Sequence, residues 1–65
     1  MQDNEFYAKY ASMPVAERGI LMDDEDGNPT TPNLIYNEVK DIDERIRPDI
    51  IRKEKLIRAF NRLEI

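Results

Sequence analysis

The chain has 65 residues, 40% of them hydrophobic and 37% charged, with a net charge of −4 and neither cysteine nor histidine. At this length it forms one small domain, residues 1–65, which buries only about 60% of the surface that the unfolded chain exposes. Disulfides are excluded, so regular helix packing and association with partners remain as sources of stability. No apolar run approaches the ~18 residues that cross a membrane, and the N-terminus lacks the features of a signal peptide. We therefore expect a soluble, cytoplasmic protein that does not bind membranes.

Charge is distributed unevenly along the chain. Residues 1–44 carry eleven acidic and three basic side chains, a net charge of −8. Residues 45–65 carry seven basic and three acidic side chains, a net charge of +4. We expect the basic part to pair with acidic segments of the same chain, of a second copy or of another protein.

A short aromatic helix is predicted at the N-terminus, over residues 3–13. Phe6, Tyr10 and Met13 recur at the four- and three-residue spacing that places side chains on one face of a helix. We expect Phe6 and Tyr10 in the core and Tyr7 on the surface.

Pro14 ends this helix, since proline disfavours helical geometry at the residue before it. Residues 15–22 then form either further helical turns or, at their end, a short extended stretch. Acidic and turn-forming residues dominate positions 23–31, which predicts the main loop. The loop does not fit a calcium site, because with Gly27 at the sixth position the required glutamate is replaced by Asn33. We therefore expect neither a metal nor a cofactor.

A second helix is predicted to begin at Thr31 and Pro32, where the threonine hydroxyl caps the first turn and proline suits its first position. Four apolar residues follow at helical spacing and fall within about 60° on a helical wheel: Ile35, Val39, Ile42 and Ile46. A stripe this narrow, with polar residues around the rest of the circumference, is typical of a helix that packs on another helix.

Pro48 either kinks this helix or ends it, because it cannot donate to the carbonyl of Glu44 and its ring crowds the preceding turn. A strongly amphipathic last helix is predicted beyond it, with an apolar arc of roughly 140° formed by Ile50, Leu56, Ile57, Phe60 and Leu63. Its opposite side is basic. Together these elements predict a mainly α fold: a small helical hairpin or bundle with a short aromatic N-terminal helix, an acidic loop and two longer C-terminal helices.

Side chains suited to catalysis are scarce. The sequence contains no histidine, no cysteine, no glycine-rich phosphate loop and no G-x-S-x-G motif. Asp41, Asp43 and Glu44 lie beside Lys40 and Arg45, and we interpret them as part of a solvated helix face. We therefore expect no enzymatic activity.

The sequence favours a non-catalytic protein–protein interaction module that acts as a small regulator, adaptor or assembly factor and self-associates, as a dimer, or binds a larger protein. Partner-binding residues are expected on the last helix: Ile50, Leu56, Ile57, Phe60 and Leu63, with Arg58 and Arg62 at the rim. The alternative is a nucleic-acid-binding regulator that contacts phosphates through Arg52, Lys55, Arg58 and Arg62. A third interpretation is a segment that folds only on its partner.

Overall fold

The computed structural model describes residues 4–63 and is mainly helical (62%). Its elements in chain order are α1 (Asn4–Ala11), a 3-10 helix (Val15–Gly19), β1 (Met22–Asp23), β2 (Pro29–Thr30), α2 (Pro32–Asp43) and α3 (Ile50–Asn61). The predicted fold class is confirmed, since a short N-terminal helix precedes two longer helices in a small globule. Position 3, where the sequence places the start of the first helix, lies outside the described residues. None of the helices within residues 4–63 is long and apolar enough to span a membrane.

The apolar face of α1 packs into the core, as its spacing predicts. Phe6, Tyr10 and Met13 are all buried. The Phe6 ring meets the Phe60 ring of α3 edge-on, with 5.0 Å between centroids. Tyr7, expected on the surface, is instead half-buried, because its hydroxyl donates a hydrogen bond of 2.6 Å to Asp43 at the end of α2.

The predicted acidic loop is a small antiparallel hairpin. Met22 pairs with Thr30, and Asp23 pairs with Pro29. Its turn is built around Asp24, whose Oδ1 accepts hydrogen bonds from the backbone N–H groups of Asp26 and Asn28, both at 2.9 Å. Gly27 has a φ of 80°, a backbone conformation that side chains with a Cβ disfavour. We call residues 22–30 the acidic hairpin.

α2 begins where the sequence predicts, because the Thr31 hydroxyl accepts a hydrogen bond of 3.2 Å from the Leu34 N–H. Three members of the predicted apolar stripe are completely buried: Ile35, Val39 and Ile42. The prediction for the fourth, Ile46, is wrong, since its side chain is 100% exposed. α2 ends at Asp43, so the helical spacing no longer aims Ile46 at the core.

The helix ends before Pro48 rather than kinking there. α2 and α3 are separate helices joined by residues 44–49, and they pack against each other. Asp49 caps α3, with its Oδ1 accepting a hydrogen bond of 3.0 Å from the Arg52 N–H. A helical hairpin of α2 and α3, covered by α1, therefore forms the core and fixes which face of α3 meets the acidic hairpin.

Candidate functional site

The basic side of α3 faces the acidic hairpin of the same chain. Glu25 binds two arginines at once: Arg58 donates from Nη2 to Oε1 at 2.7 Å and from Nε to Oε2 at 3.0 Å. Arg62 Nη2 donates to Oε2 at 3.0 Å. A carboxylate held by a two-pronged arginine contact is among the stronger and more directional ion pairs in proteins. These contacts fix the tip of the hairpin on the last two turns of α3.

The first turns of α3 are paired with carboxylates in the same way. Arg52 Nε donates to Glu38 of α2 at 2.6 Å, and its Nη1 donates to Asp26 at 3.3 Å. Arg52 Nη2 also lies 3.8 Å from Asp24. Lys55 Nζ lies 3.6 Å from Asp26. Each cation of the proposed nucleic-acid-binding set therefore has an acidic partner within the chain.

The pKa values of Glu25, Arg58, Arg52 and Asp24 each shift in the direction that favours the ionised form. Hydrogen bonds from Arg58 lower the pKa of Glu25, and the same contact raises the pKa of Arg58. The pKa of Arg52 is raised chiefly by its hydrogen bond to Glu38. The backbone N–H of Asn28 is the main cause of the lowered pKa of Asp24. Near neutral pH the contact is consequently one between fully charged groups.

The residues predicted to bind a partner occupy four different environments. Leu56 and Phe60 are buried in the core, where they pack against α1 and α2, so the folded chain does not present them to a partner. Ile57 and Leu63 are partly buried against that core. Ile50 alone of the apolar set is exposed, at 42%. Arg58 and Arg62 stand in the ion pairs with the hairpin. Partner binding by these residues stays a prediction.

Three exposed isoleucines lie close together in sequence at the junction of α2 and α3. Ile46 is 100% exposed and Ile51 is 72% exposed, and both are close in sequence to Ile50. We call these three residues the isoleucine corner. Helical periodicity did not predict that Ile46 and Ile51 are exposed. Ile46 was assigned to the buried apolar stripe of the second helix, and Ile51 lies beside the predicted apolar arc of the last helix. The early end of α2 is what turns this segment outward.

A cleft of about 550 Å³ opens between α1, the 3-10 helix and α2. Its walls include Tyr7, Tyr10 and Tyr36, with Arg18 and Lys40 among the charged lining residues. The Tyr10 and Tyr36 rings stack at 4.2 Å, and the Arg18 guanidinium lies 4.7 Å from the Tyr10 centroid. The aromatic surfaces therefore already contact one another and Arg18.

A buried polar network lies at the base of this cleft. Lys53 Nζ donates to Asp43 at 2.9 Å, and both side chains are more than nine-tenths buried. The interpretation of Asp43 as part of a solvated helix face is therefore wrong, because its carboxylate binds donors from α1 and α3. Burial opposes ionisation of Asp43, but the hydrogen bonds from Tyr7 and Lys53 prevail and its pKa is lowered. Burial, followed by the hydrogen bond to Asp43, raises the pKa of Tyr7, so its hydroxyl keeps its proton. Tyr7 therefore remains a hydrogen-bond donor and Asp43 a carboxylate engaged by two donors, an arrangement suited to holding α1, α2 and α3 together.

Residues 4–63 contain no group of three acidic, histidine or cysteine side chains arranged to hold a metal ion. The acidic residues of the hairpin instead point to α3 and to the hairpin's own backbone. Comparison of the chain with protein-family models, curated proteins and solved structures finds no match.

Proposed function

We propose that this protein is a non-catalytic protein–protein interaction module, acting as a small regulator, adaptor or assembly factor, and that the isoleucine corner is its contact surface. The observation that carries the proposal is the exposure of three isoleucines within six residues of chain. Single exposed apolar residues are ordinary on protein surfaces, whereas contiguous exposed apolar groups mark sites of association.

The partner we assign to this corner is a second copy of the chain. Glu44 and Arg47, both exposed, carry opposite charges close to Ile46. In a dimer with two-fold symmetry, the same surface of each copy faces the other copy. A surface that carries both signs of charge can therefore place its acidic side chains opposite basic ones and is self-complementary. Because Ile50 and Ile51 are already partly buried, two copies together have the equivalent of about four fully exposed isoleucine side chains left to bury, each contributing about 1.5–3 kcal/mol. That gain is of the same order as the roughly 4–15 kcal/mol that association removes in translational and rotational freedom. We therefore expect a weak dimer whose population depends on concentration.

Sedimentation velocity over a wide concentration range tests this proposal. The wild-type chain is expected to shift from monomer to dimer as its concentration rises, and Ile46→Asp with Ile51→Asp to stay monomeric. The matched control is Val15→Asp with Leu21→Asp, which places two aspartates at positions that are 77% and 80% exposed elsewhere on the surface. Exposed positions tolerate substitution within about 0.5 kcal/mol, so far-UV circular dichroism is expected to show all three proteins folded.

Two results overturn the proposal. A wild-type chain that stays monomeric at every concentration excludes the second copy as the occupant of the corner. Equal loss of association in both double variants assigns the effect to added negative charge rather than to the corner.

The nucleic-acid alternative is the second candidate function, because α3 does carry four cations along its length. As folded, each of them is paired with a carboxylate of the acidic hairpin or α2. A negatively charged chain with paired cations attracts phosphate weakly, which places this function behind protein association.

A further inference from the structure

The acidic hairpin is attached to the rest of the chain mainly by charge. Met22 is the apolar residue of the hairpin that packs against the core, whereas Asp23 and Pro29 are exposed. The preceding Leu21 is 80% exposed, so it adds little to the attachment. Arg58 and Arg62 are 55% and 65% exposed, so salt screens their ion pairs with Glu25, although Glu25 itself is only 16% exposed. The contact between the hairpin and α3 is therefore one that a competing anion can replace.

The hairpin keeps its own shape without α3. Its turn is closed by backbone hydrogen bonds from Asp24 N–H to Asn28 at 2.9 Å and from Gly27 N–H to Asp24 at 3.1 Å. The Asp24 carboxylate supplies two more within the same turn. Separation from α3 thus breaks the ion pairs and leaves these bonds in place.

The cations under the hairpin form one row on α3: Arg52, Lys55, Arg58 and Arg62. At 100° per residue they fall within about 120° of the helix circumference, and they span about 15 Å along its axis. One strand of duplex DNA presents a phosphate every 3.4 Å along the axis, so about four phosphates face a row of this length. The number of cations therefore matches the number of phosphates along a backbone segment of this length.

Glu25 occupies this row as a phosphate would. Arg58 binds Glu25 with two parallel N–H donors, and Arg62 adds a third donor. Arginine recognises phosphate with the same two-donor geometry that it uses for carboxylate. We propose that the acidic hairpin is an intramolecular mask over a nucleic-acid-binding face of α3, which the phosphate backbone of a nucleic acid exposes by displacing Glu25 and Asp26. This function uses a different surface from the isoleucine corner and does not depend on dimerisation.

Fluorescence anisotropy of a labelled single strand and a labelled duplex, titrated between about 50 and 200 mM salt, tests the mask. The unmasked variant is Glu25→Gln with Asp26→Asn. The matched control is Glu5→Gln with Asp23→Asn, which changes the net charge equally at two exposed acids outside the contact. We expect the unmasked variant to bind at least tenfold more tightly than the control. Because Arg52 stays paired with Glu38 of α2, three freed cations engage phosphates, and log K is expected to fall against log [salt] with a slope of about −2.7 on duplex and about −2.1 on single strand. Adding Arg58→Gln and Arg62→Gln is expected to remove the gain.

If the unmasked variant and the control bind nucleic acid with equal affinity, the mask proposal is overturned, because any gain in affinity then follows from the change in net charge alone. Absence of binding by the unmasked variant at the lowest salt also overturns it. If circular dichroism shows that the unmasked variant has lost its helices, Glu25→Gln alone is compared with Glu5→Gln under the same criteria. Introducing Ile46→Asp into both the masked and the unmasked chain separates the two proposals. We expect dimerisation to be lost, whereas nucleic-acid affinity is expected to change by the same factor in both chains.

Discussion

Replacing Phe60 by leucine tests whether α3 uses this side chain for the core or for a partner. Phe60 is 0% exposed and meets Phe6 edge-on at 5.0 Å. The substitution removes three carbon atoms from a buried site, worth about 2.4 kcal/mol at ~0.8 kcal/mol per carbon. It also removes an aromatic pair worth about 0.5–1.5 kcal/mol. We therefore expect Phe60→Leu to lower the free energy of unfolding by about 3 kcal/mol.

That loss is large for this chain. At roughly 0.05–0.15 kcal/mol per residue, a domain of this length has a total stability of about 3–10 kcal/mol. Urea denaturation followed by far-UV circular dichroism measures the effect. With a slope of about 1 kcal/mol per molar urea, the midpoint is expected to fall by about 3 M, and at the lower limit of stability the variant is already unfolded without urea.

Ile51→Ala is the control, because Ile51 is 72% exposed and its truncation is expected to change stability by less than about 0.5 kcal/mol. A Phe60→Leu midpoint equal to that of the control would refute the reasoning. Phe60 would then be free of the core and available to a partner, as its position on the amphipathic helix predicts.

Two further predictions concern the buried polar network. Lys53→Met is expected to lower the free energy of unfolding by about 3–5 kcal/mol in urea denaturation, because it leaves the buried Asp43 carboxylate without its ammonium partner; a change below about 1 kcal/mol would contradict this. The second prediction is pH dependence: since the pKa of Asp43 lies below its ordinary 3.8, the folded chain binds fewer protons than the unfolded chain in acid. The ionised Asp43 carboxylate therefore contributes its full stabilisation above the ordinary pKa of 3.8, and this contribution is lost as the pH falls through the lower pKa of the folded state. Between about pH 5 and about pH 1 we expect the wild type to lose more stability than Asp43→Asn.

The start and the buried face of α2 could be predicted from the sequence. Thr31 and Pro32 act on the N–H groups and backbone angles of the turn that immediately follows. The spacing of Ile35 and Val39 then selects one face, because helical periodicity relates residues three and four positions apart. Such signals are local, and the structure follows them.

The end of α2 could not be predicted in the same way. The sequence offered Pro48 as the breaking point, whereas the helix ends at Asp43, five residues earlier. Asp43 receives hydrogen bonds from Tyr7 of α1 and Lys53 of α3, and these donors come from distant parts of the chain. These contacts hold the end of α2 against α1 and α3, and Ile46, which follows the helix end, lies outside the core.

The order of residues is enough to establish that the chain is helical, that its charge is divided and that α3 is amphipathic. Which charged side chains pair with each other is known from the folded structure alone. Glu25 and Arg58 are 33 residues apart, and Glu25 and Arg62 are 37 apart. No periodicity relates positions so distant, because their approach depends on the packing of α2 against α3 and on a hairpin turn fixed by Asp24 and Gly27. The composition therefore specifies that acids and bases are present, and the fold specifies which of them meet.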